Sequence, residues 1–524
     1  MFEVFSKYYN YFFLLIIPIY NLFSSKLRPL ILLIISFLFY YLINSNLTIC
    51  LIITIISVYL ASSYLDKLSD EEMLTLEENK ENKKDIKQKF LKKRRIILIV
   101  TILINFSLLF VFKYLKFFTV NTNILLKVFH INYEFKILKF LAPLGISFYT
   151  LQALSYLFDV YNKKIKSERS LVKVALFISF LPQLTEGPIA RFRSTADDLY
   201  KGHKVTYDNF CLGMQRIFWG LFKKMIIADR LNILVKTVFQ NYNVLNGFTI
   251  FIGSLAYTIM LYMDFSGIID VVIGIGEMFK VKIPENFKQP FFSKSISEFW
   301  SRWHISLGSW FKDYIYYPIS LSKPMKKLTI KLRKILNNHY GPLVSGTIAL
   351  FIVWLLNGLW HGAGWTFLLF GMYHFILISL GNLIHPILNK FYNKLNISNS
   401  KILSFLKIIK VSFLVIIGEL IFRAETVSKA FFMIAKIFTS FKFSLKEISS
   451  LGLDFPDFFI LIIALLVVLI VSILKEKNIN IREKIKEKPI VIRWIIYYLL
   501  IFAIIIFGAF GPGYEPVDPM YADF

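Results

Sequence analysis

Long apolar runs alternate with short charged segments along this chain, and the apolar runs set its architecture. Runs at 29–43, 96–112, 456–474 and 490–510 are each long enough, or nearly so, to cross a hydrocarbon core that needs about 20 apolar residues. By that criterion the chain holds roughly ten to thirteen such segments. The expected fold class is all-α, a polytopic integral membrane protein forming one membrane-embedded domain over 1–524. Residues 1–63 read as two or three N-terminal spans. The apolar stretch 11–23 lacks a small-residue cleavage site and reads as a retained span, not a removed signal peptide. Residues 404–510 read as C-terminal spans.

The polar interruptions carry topology. From Asp66, Glu71, Glu72, Glu77 and Glu78 to Lys92, Lys93, Arg94 and Arg95, the segment 64–95 is expected as a solvated cytoplasmic loop. Lys475 to Arg493, with seven Lys or Arg, is placed on the same side by the positive-inside rule. Between 96 and 285, Pro143, Gly145, Pro182, Gly187, Pro188 and Gly267 interrupt apolar sequence. Irregular backbone at membrane depth persists only when buried in protein or lining a wet cavity, so broken helices around a cavity are expected.

Composition agrees: 56% of residues are hydrophobic, 17% aromatic and 18% charged, against about 25% charged in soluble domains. The net charge of +27 would suggest nucleic acid in a soluble protein. Here the basic residues lie between apolar runs, so membrane lipid is the expected partner and nucleic acid is not. Cys50 and Cys211 are the only cysteines, which excludes a disulfide framework. No HExxH, GxSxG or P-loop pattern occurs, and no metal site is expected.

Two histidines stand out. Ser295 and Glu298 form a capping-box pattern, Glu298 and Arg302 a favourable i,i+4 pair, and Trp300, Trp303, Leu307, Trp310 and Tyr314 one stripe. These predict an amphipathic helix lying in the membrane interface, with His304 at the edge of its stripe. His361 lies in Asn357-Gly-Leu-Trp-His-Gly-Ala-Gly364, a glycine-rich break in the apolar block 343–383. The 14 residues before Asn357 give a helix of only ~21 Å, which would leave His361 within the hydrocarbon zone. An ionisable side chain there is a functional candidate; the bland alternative is a neutral imidazole bonded to a backbone carbonyl. Asp264 and Asp270 fit structural ion pairing better than catalysis.

Glu285-Asn-Phe-Lys-Gln-Pro290, Glu298-Phe-Trp-Ser-Arg-Trp-His-Ile-Ser-Leu307, Trp310-Phe-Lys-Asp-Tyr-Ile-Tyr316 and Gly358-Leu-Trp-His-Gly362 together resemble the signature of the membrane-bound O-acyltransferases. Pro182-Gln-Leu-Thr-Glu-Gly-Pro-Ile-Ala-Arg191 and Tyr262-Met-Asp-Phe-Ser-Gly267 are similar to the bacterial branch. Tyr316-Tyr-Pro-Ile319 and Phe510-Gly-Pro-Gly-Tyr514 resemble its alginate-type polysaccharide O-acetyltransferases, with D-alanyl transferases of teichoic acid as near relatives. The likeness is close over 140–380, the expected catalytic core, and departs at Ser320 to Lys334, where this chain carries a longer basic insert.

The resemblance implies a ring of tilted helices around a thinned central funnel, with His361 as active-site histidine and His304 as the second characteristic one. It implies an acyl thioester donor, acetyl-CoA or an acyl carrier protein, with no bound cofactor. The implied acceptor is a hydroxyl of an extracellular cell-envelope polysaccharide or an extracellular acetyltransferase partner, and the implied location the cell membrane. D-alanyl transfer from a carrier protein is the alternative within the family. A transporter is the rival from another class, since broken helices also suit transport.

Overall fold

The computed structural model describes residues 16–78, 81–138, 140–398, 400–510 and 514. Part of the 11–23 run, and Gly511 to Gly513 of the last motif, lie outside them. Among the described residues the chain is helical, and an isolated antiparallel bridge between Phe287 and Trp303 is the nearest thing to a strand. Among the described residues seven helical stretches are long and apolar enough to cross a membrane: Arg28–Glu78, Lys83–Val128, Gly247–Met278, Tyr340–His361, Trp365–Lys394, Phe455–Glu476 and Ile490–Phe507. The chain is a multi-pass membrane protein. The first two stretches, of 51 and 46 residues, exceed a single crossing of about 20.

Lipid accounts for surfaces that water would not tolerate. Phe459, Ile462, Leu466 and Ile470 form an exposed stripe on one C-terminal helix, and Ile495, Leu499, Phe502 and Ile506 another. Contiguous apolar faces of this kind mark contact with membrane.

The described chain forms two compact units, the first mainly of residues up to Gly213 with Ile275–Pro284, the second of Met214–Gly274 and Glu285 onward. In the first unit the expected 64–95 loop is instead largely helical: Thr48–Glu78 and Lys83–Leu109 run through it, with a turn at Glu81 and Asn82. Its charges are partly paired there, because Glu72 is buried and meets both Arg94 at 3.4 Å and Lys163 at 2.9 Å. Alternating charge along a helix supports such an extension as readily as a loop, which is why composition alone misread it. Of the breakers, Pro143 and Gly145 directly precede the helix Ile146–Tyr161, and Pro182, Gly187 and Pro188 fall in and after the short helix Leu181–Leu184, ahead of Phe192–Tyr200.

Gly267 is different. The helix Gly247–Met278 continues through it. A Cβ at Gly267 would lie 2.8 Å from the Gly220 carbonyl oxygen, and one at Gly220 would lie 2.4 Å from that of Gly267. The glycine pair serves close helix approach, a common device where lipid supplies no hydrophobic drive to association. Beside it lies a buried seam of ion pairs: Lys224 with Asp264 at 3.0 Å and Asp229 at 2.7 Å, and Asp270 with Lys223 at 2.6 Å and Arg216 at 3.0 Å. Asp264 and Asp270 are thus structural partners, as their sequence setting suggested. A buried charge survives only when paired.

The basic insert forms the helix Lys323–Leu336. Met325, Leu328 and Leu332 are half-buried, Thr329 Oγ1 lies 2.6 Å from Ser345 Oγ of the next helix, and the lysines face outward. At Gly358 and Gly371 the helices Tyr340–His361 and Trp365–Lys394 come together: a Cβ at the first would meet the Phe367 carbonyl at 2.5 Å, and at the second the Trp354 carbonyl at 2.4 Å.

Candidate active site

Both singled-out histidines are in the second unit, both are buried, and each sits at the end of a helix. The helix Ile296–Arg302 starts as its sequence predicts: the Ser295 hydroxyl accepts from Glu298 N–H at 3.1 Å, and the Glu298 carboxylate accepts from Lys294 N–H at 2.8 Å. Glu298 also pairs with Arg302 at 2.8 Å. The expected single interfacial helix ends there. At His304 the backbone turns left-handed (φ 49°, ψ 50°) before a second helix, Ile305–Phe311.

That kink is held from a distance. Asn286 Oδ1 accepts from the Ser306 N–H at 3.0 Å and its hydroxyl at 2.9 Å, while the Asn286 carbonyl accepts from Ile305 N–H at 3.0 Å. Lys288 N–H donates to the Arg302 carbonyl at 2.9 Å. The Glu285–Pro290 motif therefore acts as a strand-like brace for the kink. A non-glycine residue in left-handed backbone persists only when its surroundings over-determine it. Local periodicity could not reveal the kink, because its cause lies about twenty residues earlier. Trp303, Leu307, Trp310 and Tyr314 are also buried in protein, so these side chains of the stripe pack inward against the protein.

His361 corrects a second expectation. The helix Tyr340–His361 runs unbroken through Asn357 and Gly358 and ends at the histidine; the irregular backbone is Gly362 to Gly364. At 22 residues this helix spans ~33 Å, so its length does not place His361 at mid-membrane. Burial within protein is what distinguishes the residue: it is 4% exposed. Phe370 and Phe422 stand edge-on to its ring at 5.9 and 5.2 Å between centroids.

Trp360 brings the two histidines together. Its indole is edge-on to His304 at 5.5 Å and to His361 at 5.0 Å. Phe265 closes the other side of His304 at 5.0 Å. Burial pushes the His304 pKa down to about 3, so this imidazole is neutral at neutral pH. Two imidazoles flanking one indole in an aromatic enclosure can move a proton or hold a hydroxyl where water competes poorly. Among the described residues no group of three or more His, Cys, Asp or Glu is placed to hold a metal ion.

Two buried residues of this region were not singled out from sequence. His374 is fully buried beside Phe370, with ring centroids 4.7 Å apart. Glu419 is 2% exposed on Lys401–Arg423, the helix that also carries Phe422. Either could have been flagged as an ionisable side chain inside an apolar run.

Buried histidines at helix ends, enclosed by aromatic rings, make up this candidate site, and comparison with known proteins gives the family of the chain. Residues 163–331 match the model of MBOAT, the membrane-bound O-acyltransferase family. The chain belongs to this family. It is similar to a probable alginate O-acetylase of Pseudomonas aeruginosa, with 34% identity over 372 residues, covering 71% of this chain and 65% of that protein. It is similar to a peptidoglycan O-acetyltransferase of Helicobacter pylori, with 33% identity over 60% of this chain and 59% of the relative. A teichoic acid D-alanyltransferase of Bacillus subtilis is 32% identical over 46% of this chain and 58% of its own length. In each case the chain spans somewhat less than two thirds of the relative.

Proposed function

We propose that this protein transfers an acyl group, acetyl in the leading reading, from a cytoplasmic thioester to a hydroxyl of an extracellular cell-envelope polysaccharide or of an accessory transferase. The observation that carries the reading is the enclosure of His361 and His304 around Trp360, in a chain of this family. His361 acts as general base. It takes the proton of the accepting hydroxyl as that oxygen attacks the thioester carbonyl; the carbon–sulfur bond then breaks, and the leaving thiolate recovers the proton. The Trp360 indole N–H is the candidate donor to the developing oxyanion. No cofactor takes part beyond the donor itself. The site lies in the cell membrane, with the charged segments 64–95 and 475–493 on the cytoplasmic side, where the thioester is made.

Acetyl is preferred over D-alanyl because the likeness to O-acetylases extends over more of the chain. The test offers the purified protein in lipid two donors, acetyl-CoA and a D-alanyl carrier-protein thioester. Release of CoA coupled to ester formation, with no carrier present, is the expected result. Absolute dependence on the charged carrier would replace acetyl by D-alanyl and leave the acyl-transfer reading in place.

A further inference from the structure

His374, which the mechanism above does not use, is completely buried in the helix Trp365–Lys394. Its Nδ1 accepts a hydrogen bond from the Trp300 indole N–H at 3.1 Å, which places the ring's own proton on Nε2. Trp354 stacks on the ring at 5.5 Å and 29°. The facing helix offers Gly418, where a Cβ would lie 2.7 Å from Nε2. Position 418 therefore admits this imidazole only as glycine.

The partners of this bond belong to the two segments that carry the candidate catalytic histidines. Trp300 lies four residues before His304, in the helix that ends at the kink. His374 lies in the helix that starts directly after the Gly362–Gly364 break behind His361. Phe370, one turn before His374, touches both sides, with its ring 5.9 Å from His361 and 6.0 Å from Trp300. The Nε2 atom has no hydrogen-bond partner among the described residues. Burying it so costs free energy that a phenyl ring in the same space would not, which argues for geometry and not stability as the reason for an imidazole.

We infer that His374 is a positioning residue, which by holding the Trp300 indole fixes the His304 kink relative to His361. This rests on the acyl-transfer reading of His361. The test measures kcat and KM for thioester cleavage by the intact protein in lipid, with acetyl-CoA or, if it proves the better donor, the D-alanyl carrier thioester. Trp300→Phe, His374→Leu, His374→Gln and the double variant Trp300→Phe/His374→Leu are compared, with detergent thermostability followed for each.

Trp300→Phe and His374→Leu should each lower kcat roughly 10- to 100-fold, the scale of a small misplacement of reacting groups, with little change in KM. The double variant should be no worse than either single one. His374→Gln, whose amide oxygen can accept the indole N–H, should recover most of the rate. Wild-type kcat in the single variants, additive losses in the double, or a loss that only follows the fraction of folded protein would overturn the inference. If His374→Leu fails to fold, Trp300→Phe and His374→Gln decide alone. His361→Ala, run in parallel, separates the two claims. An inactive His361→Ala beside unaffected His374 variants sinks only the positioning role, whereas an active one removes His361 as the general base and this inference with it.

Discussion

The two kinks that carry His304 and His361 are built in opposite ways. At His361 the break follows the histidine and is local: the chain runs extended at Gly362 and Gly364, and a Cβ at Gly362 would meet the Phe367 ring at 2.3 Å. At His304 the break falls on the histidine itself and is imposed from outside by Asn286 and the neighbouring backbone. A locally encoded kink is visible to a reader of sequence and depends on a few small residues. A kink braced from elsewhere is invisible locally and depends on hydrogen bonds. The two should therefore fail differently.

The largest expected effect is at the first kink. His361→Ala should lower acyl incorporation into the cell envelope by 10²-fold or more, the usual loss of a general base, with membrane abundance unchanged. Near-normal incorporation would refute the assignment. His304→Ala should be less severe, roughly 10-fold, because a second imidazole assists and does not take the proton itself. An effect equal to that of His361→Ala would erase the distinction between the two sites.

Asn286→Ala attacks the second kink without touching either histidine. It removes the acceptor of two buried donors on Ser306 and should cost about 1–3 kcal/mol of stability, read as a lower unfolding midpoint in detergent. If the midpoint holds while activity falls, the brace acts on geometry alone. Ser295→Ala should do least, about 1 kcal/mol, since it removes one cap from the same short helix.

What sequence could and could not reveal follows the same division. The apolar runs at 456–474 and 490–510 became the helices Phe455–Glu476 and Ile490–Phe507, because a membrane span is specified by its own residues. The start of the helix at Ser295 was equally legible, since a capping box is local. Its end was not: Trp303, Trp310 and Tyr314 keep helical spacing straight across a bend that Asn286 dictates. The 64–95 segment was misread because charge density says where a stretch is wet and not whether it is coiled. His361 stands out twice in the sequence, through a helix length that its 22-residue helix does not support and through the resemblance of Gly358-Leu-Trp-His-Gly362, which is local. What encloses it is Trp360, its neighbour in the chain, together with Phe370 and Phe422 from two other helices, whose nearness local sequence does not show.

The helix that supplies Lys223 and Lys224 to the buried ion pairs is widened over Phe222–Ala228 into a π-helical segment. A π turn takes up more chain than an α turn, so successive lysines fan out more narrowly and both reach the carboxylates of Gly247–Met278. The helix is accordingly measured in residues as well as in residue types. Deleting one position between 222 and 228 would let it relax to ordinary α geometry, which absorbs the extra residue and leaves later side chains near their present phase but loses the narrow fan that lets Lys223 and Lys224 reach Asp270 and Asp264 together. Length polymorphism should therefore be absent from this stretch in functional variants, even where individual apolar side chains are exchanged freely.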